Sequence, residues 1–429
     1  MSVTEKMLVI GAGPVGLGVA RALRDHGIAY DQVDTADGVG GNWRHGVYDT
    51  VHIVSSRRTT EFPEFRMPDS YPEFPGRQQM LDYLEAYSRH FGLLERIEFG
   101  RAVTRVTPSV DGTWKVHFLA AEPRDYRGVI ICTGHHWDRR WPGYAGELSV
   151  QYMHSKDYAT PDQLRGKRVL VIGGGNSACD IVSEAARVAT AAHISLRRGY
   201  WILPKVLFGR PIADLVRHYT PVWMQRAMLR PALKVAVGKY RKYGLPEPDH
   251  KLFEHHPTIS SEILYYLKHG RITVHPDVRK FDGNFVEFVD GTREAFDIVV
   301  AATGFHLAFP FLAPGLIEVT GPLVELYGHM ASAAHRHLYV VGWMQPRYGF
   351  GPLVSPAADL LAEIVKAQEG MRNPIGSVLK RLGQKPPRSH ICDPFRLKLE
   401  IELTRKMLPF ICLIDRWMIP RPGDIRQQS

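Results

Sequence analysis

The chain has 429 residues, enough for two or three domains, and its composition of 45% hydrophobic and 23% charged residues, with a mean hydropathy of −0.18, is typical of a globular protein without a membrane span. The net charge of +10 lies largely in the tail, where 12 Lys/Arg face 5 Asp/Glu from residue 370 onward, and no nucleic-acid motif accompanies it, so a nucleic-acid partner is not expected. Four scattered cysteines with no CxxC pair argue against a disulfide framework, a redox dithiol or a cysteine-based zinc site, and favour a reducing cytoplasmic setting. No other metal site is predicted.

The first element is an apolar strand at 7–10, which argues against a signal peptide and leads into a helix predicted at 14–26. The connecting turn reads Gly11-Ala12-Gly13-Pro14-Val15-Gly16. In such a turn the glycines allow a tight bend, a close approach of a diphosphate and close packing of helix on strand. Asp34 closes the following strand and can accept hydrogen bonds from ribose hydroxyls, although Asp31 is a rival for that role.

The next 100 residues are predicted to complete the first domain. They contain an amphipathic helix at 78–90, strands at 103–106 and 114–119 around an Asp111-Gly112 turn, and a buried strand at 129–132 that ends in Thr133-Gly134. None of these elements carries a catalytic motif by itself.

A second copy of the strand, turn and helix pattern begins about 160 residues after the first. A strand at 169–172 enters Gly173-Gly174-Gly175-Asn176-Ser177-Ala178 and a helix predicted at 176–189. The strand after this helix ends in Arg197-Arg198 with no acid. Guanidinium groups bind a 2′-phosphate, so this unit favours NADPH over NADH; the alternative is a solvated pair of arginines on a loop.

The two units predict an α/β fold with two Rossmann-like dinucleotide-binding domains, the second inserted into the first. A buried strand at 298–302, ending in Thr303-Gly304, indicates where the chain returns to the first domain. The predicted boundaries are 1–157 and 297–429 for the first domain, 158–296 for the second with a helical insertion at about 199–257, and 371–429 for a basic carboxy-terminal extension.

A unit that ends in an acid, followed by a unit that ends in arginines, indicates a flavoprotein that receives hydride from NADPH. From about residue 6 to 366 the sequence resembles the flavin-containing monooxygenases, which are class B flavoprotein monooxygenases. The resemblance rests on the two glycine-rich turns and on five further short segments. These segments are Gly40-Gly41-Asn42-Trp43, Cys132-Thr133-Gly134-His135-His136, His154-Ser155-Lys156-Asp157-Tyr158, Ala302-Thr303-Gly304-Phe305 and Gly342-Trp343-Met344-Gln345-Pro346.

The resemblance implies FAD in the first domain and NADPH in the second. It places FAD on Gly11, Gly13, Pro14, Val15, Gly16, Asp34, Asn42, Trp43, Thr133, Gly134, Thr303, Gly304 and Gln345, and NADPH on Gly173, Gly175, Asn176, Ser177, Ala178, Arg197 and Arg198. It also implies that reduced flavin and O₂ form a C4a-hydroperoxide, which oxygenates an amine nitrogen or a thioether sulfur of a small organic substrate.

Two departures from the family pattern concern the candidate catalytic residues. Many members have an Asn beside the flavin where Val54 stands here, and Val cannot form the hydrogen bonds of an amide. The hypothesis is a leaky enzyme that releases H₂O₂, unless Ser55 or Ser56 compensates. The family's identifying motif is also degenerate around His154, for which a chemical role and a structural link between the domains both stay open.

Several alternatives remain at this stage. Baeyer–Villiger oxygenation of a ketone is less favoured because residues 44–50 lack the motif of those relatives, and nothing selects hydroxylation of a siderophore-type amine. The absence of CxxC disfavours a disulfide reductase, and two intact turns disfavour a flavin-binding protein without catalysis. The extension from residue 371 is expected to pack on the FAD domain, to form a homodimer interface or to lie on a membrane surface.

Overall fold

The structure, a computed structural model, describes residues 3–215, 220–347 and 349–418. Two five-stranded parallel sheets form its framework. The first has the order β24-β7-β1-β2-β3, with β1 (Met7–Ile10), β2 (Tyr30–Val33), β3 (Ile97–Glu98), β7 (Gly128–Ile131) and β24 (Leu338–Val340). The second has the order β16-β11-β10-β20-β9, with β9 (Gln151–His154), β10 (Arg168–Ile172), β11 (Ala191–Ser195), β16 (Ile272–His275) and β20 (Ile298–Ala301).

Helices cover these sheets and confirm the predicted periodic segments. On the first sheet, α1 (Pro14–Asp25) packs against α9 (Gly351–Glu369), and α4 (Arg77–His90) joins the same core. On the second, α5 (Asn176–Val188) packs against α8 (Glu262–Lys268). Helix α1 has Pro14 at its first turn, where no N–H is needed, and ends before Gly27, which adopts φ +67°.

A three-stranded antiparallel meander accompanies each sheet. The first, β4 (Val103–Pro108), β5 (Trp114–Phe118) and β6 (Ala121–Tyr126), confirms the two strands predicted around the turn at 111–112. The second consists of β17 (Val278–Asp282), β18 (Phe285–Phe288) and β19 (Arg293–Ala295). It packs on the second sheet through a separate apolar core that includes Ile172, Val299, Phe288 and Phe296.

Short elements complete the chain. Paired strands are β8 (Asp138–Arg139) with β21 (Phe305–His306), β12 (Ile202–Leu203) with β15 (Thr258–Ile259), β13 (Val206–Leu207) with β14 (Arg210–Pro211), β22 (Val319–Thr320) with β23 (Leu323–Val324), and β25 (Gln345–Pro346) with β26 (Ile391–Cys392). The remaining helices are α2 (Asn42–His45), α3 (Arg57–Thr60), α6 (Ile212–Leu215), α7 (Val222–Ala236), α10 (Ile375–Arg381) and α11 (Pro394–Trp417). Single 3₁₀ turns occur at Val3–Glu5, Leu94–Arg96, Pro161–Leu164 and Tyr240–Tyr243.

The architecture is the predicted α/β fold with two Rossmann-like units, but its sheets divide the chain differently from the boundaries at 157 and 297. Strands β9 and β20 pair with each other in the second sheet, with Ala301 opposite His154. A short strand carries no local signal for the sheet that it joins, so the sequence pattern could not place them.

The predicted insertion and extension are partly helical. The insertion at 199–257 contains α6 and α7 beside short strands. Within the extension, α10 and α11 are helices, and residues 419–429 lie outside the described residues. No helix in the described part of the chain combines the length and apolar character needed to cross a bilayer.

Candidate functional site

A cavity of about 850 Å³ lies at the carboxyl ends of the first sheet, where the beginning of α5 from the second unit faces them. Dinucleotides bind at this end of open α/β sheets. The cavity brings together the following predicted residues: Gly11, Gly13, Pro14, Val15, Asp34, Asn42, Trp43, Val54, Ser55, Thr133, Gly134, Asn176, Ser177 and Gln345. Residues from both units therefore line a single space.

The first glycine-rich turn has the geometry that its sequence requires. Gly11 adopts φ +112°, and a Cβ there would lie 2.5 Å from the carbonyl oxygen of Cys132. A Cβ on Gly16 would lie 2.0 Å from the Gly11 carbonyl oxygen, so Gly16 allows the helix to pack against the strand and does not itself line the cavity. No side chain caps the amino end of α1, so its backbone N–H groups are available to a diphosphate.

Asp34 is the carboxylate that lines the cavity. Its two oxygens accept hydrogen bonds from the backbone nitrogens of Ala12 at 2.6 Å and Ala36 at 2.8 Å, and a carboxylate retains further lone pairs for ribose hydroxyls. The rival Asp31 is paired with Lys6 at 2.8 Å and is not part of the cavity wall. The structure thus separates two acids that the sequence could not rank.

Lys156 holds the Asn42 segment in place, a role that sequence reasoning missed. Its Nζ donates to Oδ1 of Asn42 at 2.7 Å and to the carbonyl oxygens of Gly46 at 2.9 Å and His136 at 3.2 Å. Burial lowers the pKa of Lys156 to about 8. The three acceptors match the three donors of an ammonium group, so the side chain is fully used when protonated.

Several buried polar atoms beside the cavity have no hydrogen-bond partner among the described residues. They are Oγ1 of Thr133, Nε2 of His135 and Nε1 of Trp137, and all three residues line the cavity. Unpaired buried polar groups are costly, and a flavin dinucleotide carries donors and acceptors that can satisfy them. Together with Asp34 and the uncapped helix, these atoms fit a bound FAD.

Val54 and Ser55 lie on the cavity wall between the two units. The Ser55 hydroxyl is paired with Oγ1 of Thr60 at 2.7 Å, and Val54 offers no polar atom. The Asn176 amide, also on the wall, uses its oxygen to accept from the Ile259 backbone nitrogen at 2.7 Å. Thus neither Ser55 nor Asn176 has a wholly free side chain with which to replace an amide at position 54.

Gly173 and Gly175 have different roles in the second glycine-rich turn. Gly173 adopts φ +132°, and a Cβ there would lie 2.3 Å from the Ala302 carbonyl oxygen. A Cβ on Gly175 would meet no atom within 4 Å, which leaves room for a phosphate near the uncapped end of α5. Ala178 is fully buried within α5, so its place is in the helix packing.

A positively charged edge follows strand β11, beyond the main cavity. Arg197 is exposed and Arg198 is half-buried, with Nη1 3.4 Å from Nε2 of His255. Arg140 joins this edge; burial and repulsion from Arg197 lower its pKa. Within the described ranges none of the three arginines forms an ion pair with a carboxylate, so the edge suits an added phosphate.

His154, Thr303 and Gly304 lie at the end of the second sheet and not on the cavity wall. Nε2 of His154 donates to the Gly304 carbonyl oxygen at 3.0 Å, while its Nδ1 accepts from the Lys156 backbone nitrogen at 3.1 Å. Burial lowers the pKa of His154, which keeps the imidazole neutral in this arrangement. The Thr303 carbonyl accepts from Nε of Arg140 at 2.9 Å.

The carboxy-terminal segment forms part of the cavity wall, which no sequence motif indicated. Gln345 donates its backbone N–H to the His390 carbonyl oxygen at 2.7 Å, as β25 pairs with β26. Cys392 of β26, together with Leu397 and Ile401 near the start of α11, then lines the cavity. The extension is therefore built into the candidate site.

Comparison with known proteins identifies several similarities. The family described as flavin-binding monooxygenase-like matches residues 4–375. Flavin-containing monooxygenase 5 from Mus musculus is 30% identical over 416 residues, covering 86% of this chain and 78% of the relative. Dimethylaniline monooxygenase [N-oxide-forming] 2 from Macaca mulatta is 29% identical over 395 residues, covering 84% and 73%. The solved structure of OTEMO in complex with FAD and NADP superposes with a TM-score of 0.68 at 16% identity, covering 86% of this chain and 85% of that one.

Proposed function

The chain belongs to the flavin-binding monooxygenase-like family, and from that premise we propose that it oxygenates a soft nucleophile, an amine nitrogen or a thioether sulfur, of a small organic molecule. It is a flavoprotein oxidoreductase that uses FAD and NADPH. When bound, FAD supplies the redox chemistry between NADPH and O₂. The chain itself binds and orients the two cofactors and the substrate, and it excludes water.

One observation carries the proposal: the two nucleotide units meet in one cavity. Asp34 and Thr133 come from the carboxyl ends of the first sheet, and Asn176 and Ser177 from the beginning of α5. A flavin held by the first set and a nicotinamide nucleotide held by the second would share an enclosed space. Hydride transfer needs this proximity.

The cofactor assignments of individual residues are part of the proposal. For FAD they are Gly11, Gly13, Pro14, Val15, Asp34, Asn42, Trp43, Thr133, Gly134 and Gln345 on the cavity wall, with Gly16 acting through the packing of α1. The two other predicted FAD residues, Thr303 and Gly304, lie off this wall, so we assign them to the end of the second sheet and not to contact with FAD. For NADPH they are Gly173, Gly175, Asn176, Ser177, Ala178, Arg197 and Arg198, to which we add Arg140. Asp34 would accept ribose hydroxyls, and the arginines would bind the 2′-phosphate.

Val54 supports a second activity at the same site. Part of the NADPH would be oxidised to NADP⁺ by O₂ without oxygenation of the substrate, and the O₂ would be released as H₂O₂. An amide at this position would donate a hydrogen bond to oxygen bound near the flavin, and Val54 cannot. Ser55 is engaged with Thr60. We expect some electrons to reach H₂O₂ instead of product, in an amount that depends on the substrate.

The test is an anaerobic titration of FAD-loaded protein with NADPH, followed by O₂ and either a tertiary amine or a thioether. We expect rapid bleaching of the flavin by NADPH. After O₂ is added, an N-oxide or a sulfoxide should account for part of the NADPH consumed, and H₂O₂ should account for the rest. An ester formed from a ketone, with no oxidation of amine or sulfur, would replace the proposal by Baeyer–Villiger chemistry. Absence of bleaching by NADPH would contradict the whole assignment.

We also propose that α11 touches an anionic membrane surface. Its outer face exposes Leu403, Phe410 and Trp417, the last with 83% exposure, beside basic residues such as Lys406. Since the start of α11 lines the cavity, the test uses a Phe410→Ser/Trp417→Ser double variant rather than a truncation. Weaker co-sedimentation of the variant with anionic vesicles is expected. Equal co-sedimentation of the variant and the wild type would contradict membrane contact. A variant that loses dimers while its co-sedimentation stays unchanged would also contradict it.

A further inference from the structure

Two histidines and a glutamate converge within the second unit, outside the cofactor cavity. Nδ1 of His193 lies 2.9 Å from Nε2 of His275. The Glu294 carboxylate faces both rings: its Oε2 lies 3.7 Å from Nδ1 of His193, and its Oε1 lies 3.7 Å from Nε2 of His275. None of the three residues lines the cavity or takes part in the proposed reaction.

The spacing of these atoms matches the ligand set of a tetrahedral metal ion. Zinc binds imidazole nitrogen and carboxylate oxygen at about 2.0–2.2 Å, which places neighbouring ligands of a tetrahedron about 3.3–3.6 Å apart. The three observed separations lie on both sides of that value. Small side-chain rotations would therefore bring both imidazole nitrogens and one Glu294 oxygen to bonding distance from one ion, and a water molecule can complete the tetrahedron.

The ligands come from three strands that hold them firmly. His193 is on β11, His275 ends the adjacent β16, and Glu294 belongs to β19 of the meander that packs on this sheet. The His275 ring stacks on Phe288 with centroids 4.1 Å apart. Metal sites built on strands are better positioned than sites on loops.

The surroundings also suit a cation. Both imidazoles are about 94% buried, whereas the Glu294 side chain is one-third exposed and leaves an access route. Arg168 donates to Oε2 of Glu294 at 3.2 Å, an outer contact of the kind that orients metal-binding carboxylates.

We propose that His193, His275 and Glu294 bind one divalent transition-metal ion of the Zn²⁺ type, which joins the parallel sheet of the second unit to its antiparallel meander. The sequence predicted no metal site because His193 and His275 are 82 residues apart, without a recognisable ligand motif. The ion would stabilise the contact between the sheet and the meander and would take no part in oxygenation.

The test uses tag-free, FAD-loaded, full-length protein that has been treated with a chelator and is then titrated calorimetrically with ZnCl₂. We expect one tight site per chain, a higher thermal unfolding midpoint with Zn²⁺, and visible absorption typical of tetrahedral coordination when Co²⁺ replaces Zn²⁺. His193→Gln should abolish the site. Glu294→Gln, which preserves the shape and the contact with Arg168, should weaken binding by about tenfold or more.

The matched control is His269→Gln, an exposed histidine on the turn that follows α8, which should bind Zn²⁺ like the wild type. Glu294→Gln alters a partly exposed carboxylate, so it tests the site even if His193→Gln fails to fold. Unchanged affinity in Glu294→Gln would place the ion elsewhere and overturn the proposal. Absence of stoichiometric binding in the wild type would also overturn it and leave only a hydrogen-bonded histidine pair.

Discussion

Oη of Tyr48 donates a 2.7 Å hydrogen bond to Oδ2 of Asp180, so a residue that follows α2 in the first unit is tied to helix α5 of the second. Both residues line the cofactor cavity. Burial raises the pKa of Asp180, and the neighbouring Glu184 accepts hydrogen bonds from Thr50 and Tyr158. Buried contacts across the two units therefore fix the walls of the cavity.

Replacing Tyr48 with Phe should loosen this junction. The change removes the hydroxyl and leaves a buried acceptor without its donor, which costs about 1–3 kcal/mol. We expect a lower free energy of unfolding in urea and slower flavin reduction by NADPH. Tyr265→Phe, an exposed position on α8, should stay within about 0.5 kcal/mol of the wild type. Equal unfolding midpoints for the two variants would contradict the prediction.

FAD affinity should fall as the pH rises through about 8. Below this pKa, Lys156 is an ammonium with three donors for its three acceptors; above it, a neutral amine has two, and the Asn42 segment loses one contact. The dissociation constant of FAD, measured by fluorescence from pH 6.5 to 9.5, should increase with a midpoint near 8. Lys156→Met should bind FAD weakly and without this pH dependence.

The free energy of unfolding of the FAD-free protein should show the opposite dependence on pH. The folded-state pKa of Lys156 lies below its ordinary value of 10.5, so between about pH 8 and that value the unfolded chain binds more protons. The contribution of Lys156 to the free energy of unfolding therefore rises with pH in this window. A parallel decrease of stability and FAD affinity, absent in Lys156→Met, would contradict the assigned role.

Val54→Asn should improve the coupling of NADPH to product. The added amide can donate one hydrogen bond in a dry site, worth about 1–3 kcal/mol, and the yield of H₂O₂ per NADPH should fall about tenfold. Val54→Ala is the matched control, since it changes the volume without adding a donor, and its H₂O₂ yield should not fall. An asparagine variant that couples no better than the wild type would refute the hypothesis of a leaky site.

The two glycines of the second turn should differ when each is changed to alanine. Gly175→Ala meets no atom within 4 Å and has φ −82°, so the fold and the FAD content should persist while KM for NADPH rises about tenfold or more. Gly173→Ala forces a Cβ to 2.3 Å from a backbone oxygen at φ +132° and should destabilise the protein. Unchanged KM in Gly175→Ala would argue against a diphosphate at this turn.

Arg197→Gln should reduce the preference for NADPH over NADH. A charge-assisted hydrogen bond to phosphate contributes about 1.5–3 kcal/mol, so kcat/KM for NADPH should fall by about tenfold or more, with little change for NADH. Arg165→Gln, which removes a surface ion pair with Asp162, is the control and should leave both values unchanged. An equal loss for both nucleotides would show that Arg197 does not read the 2′-phosphate.

The local units of this protein were determined by sequence alone. Helices α1, α4 and α5 lie within one residue of their predicted limits because strand, glycine turn and helix signals act over fewer than 30 consecutive residues. The positive φ angles of Gly11 and Gly173 follow from the same local pattern. For these parts, residue type and spacing carry the physical information.

Tertiary structure alone decided which distant residues share a site. It placed Asp34 but not Asp31 on the cavity wall, brought Lys156 to Asn42, placed β9 and β20 in the second sheet, and brought α11 to the cavity wall. The Tyr48–Asp180 contact spans 132 residues, and the histidine pair spans 82. Such contacts depend on how whole sheets and helices pack, and packing leaves no periodic signal in the chain between the partners.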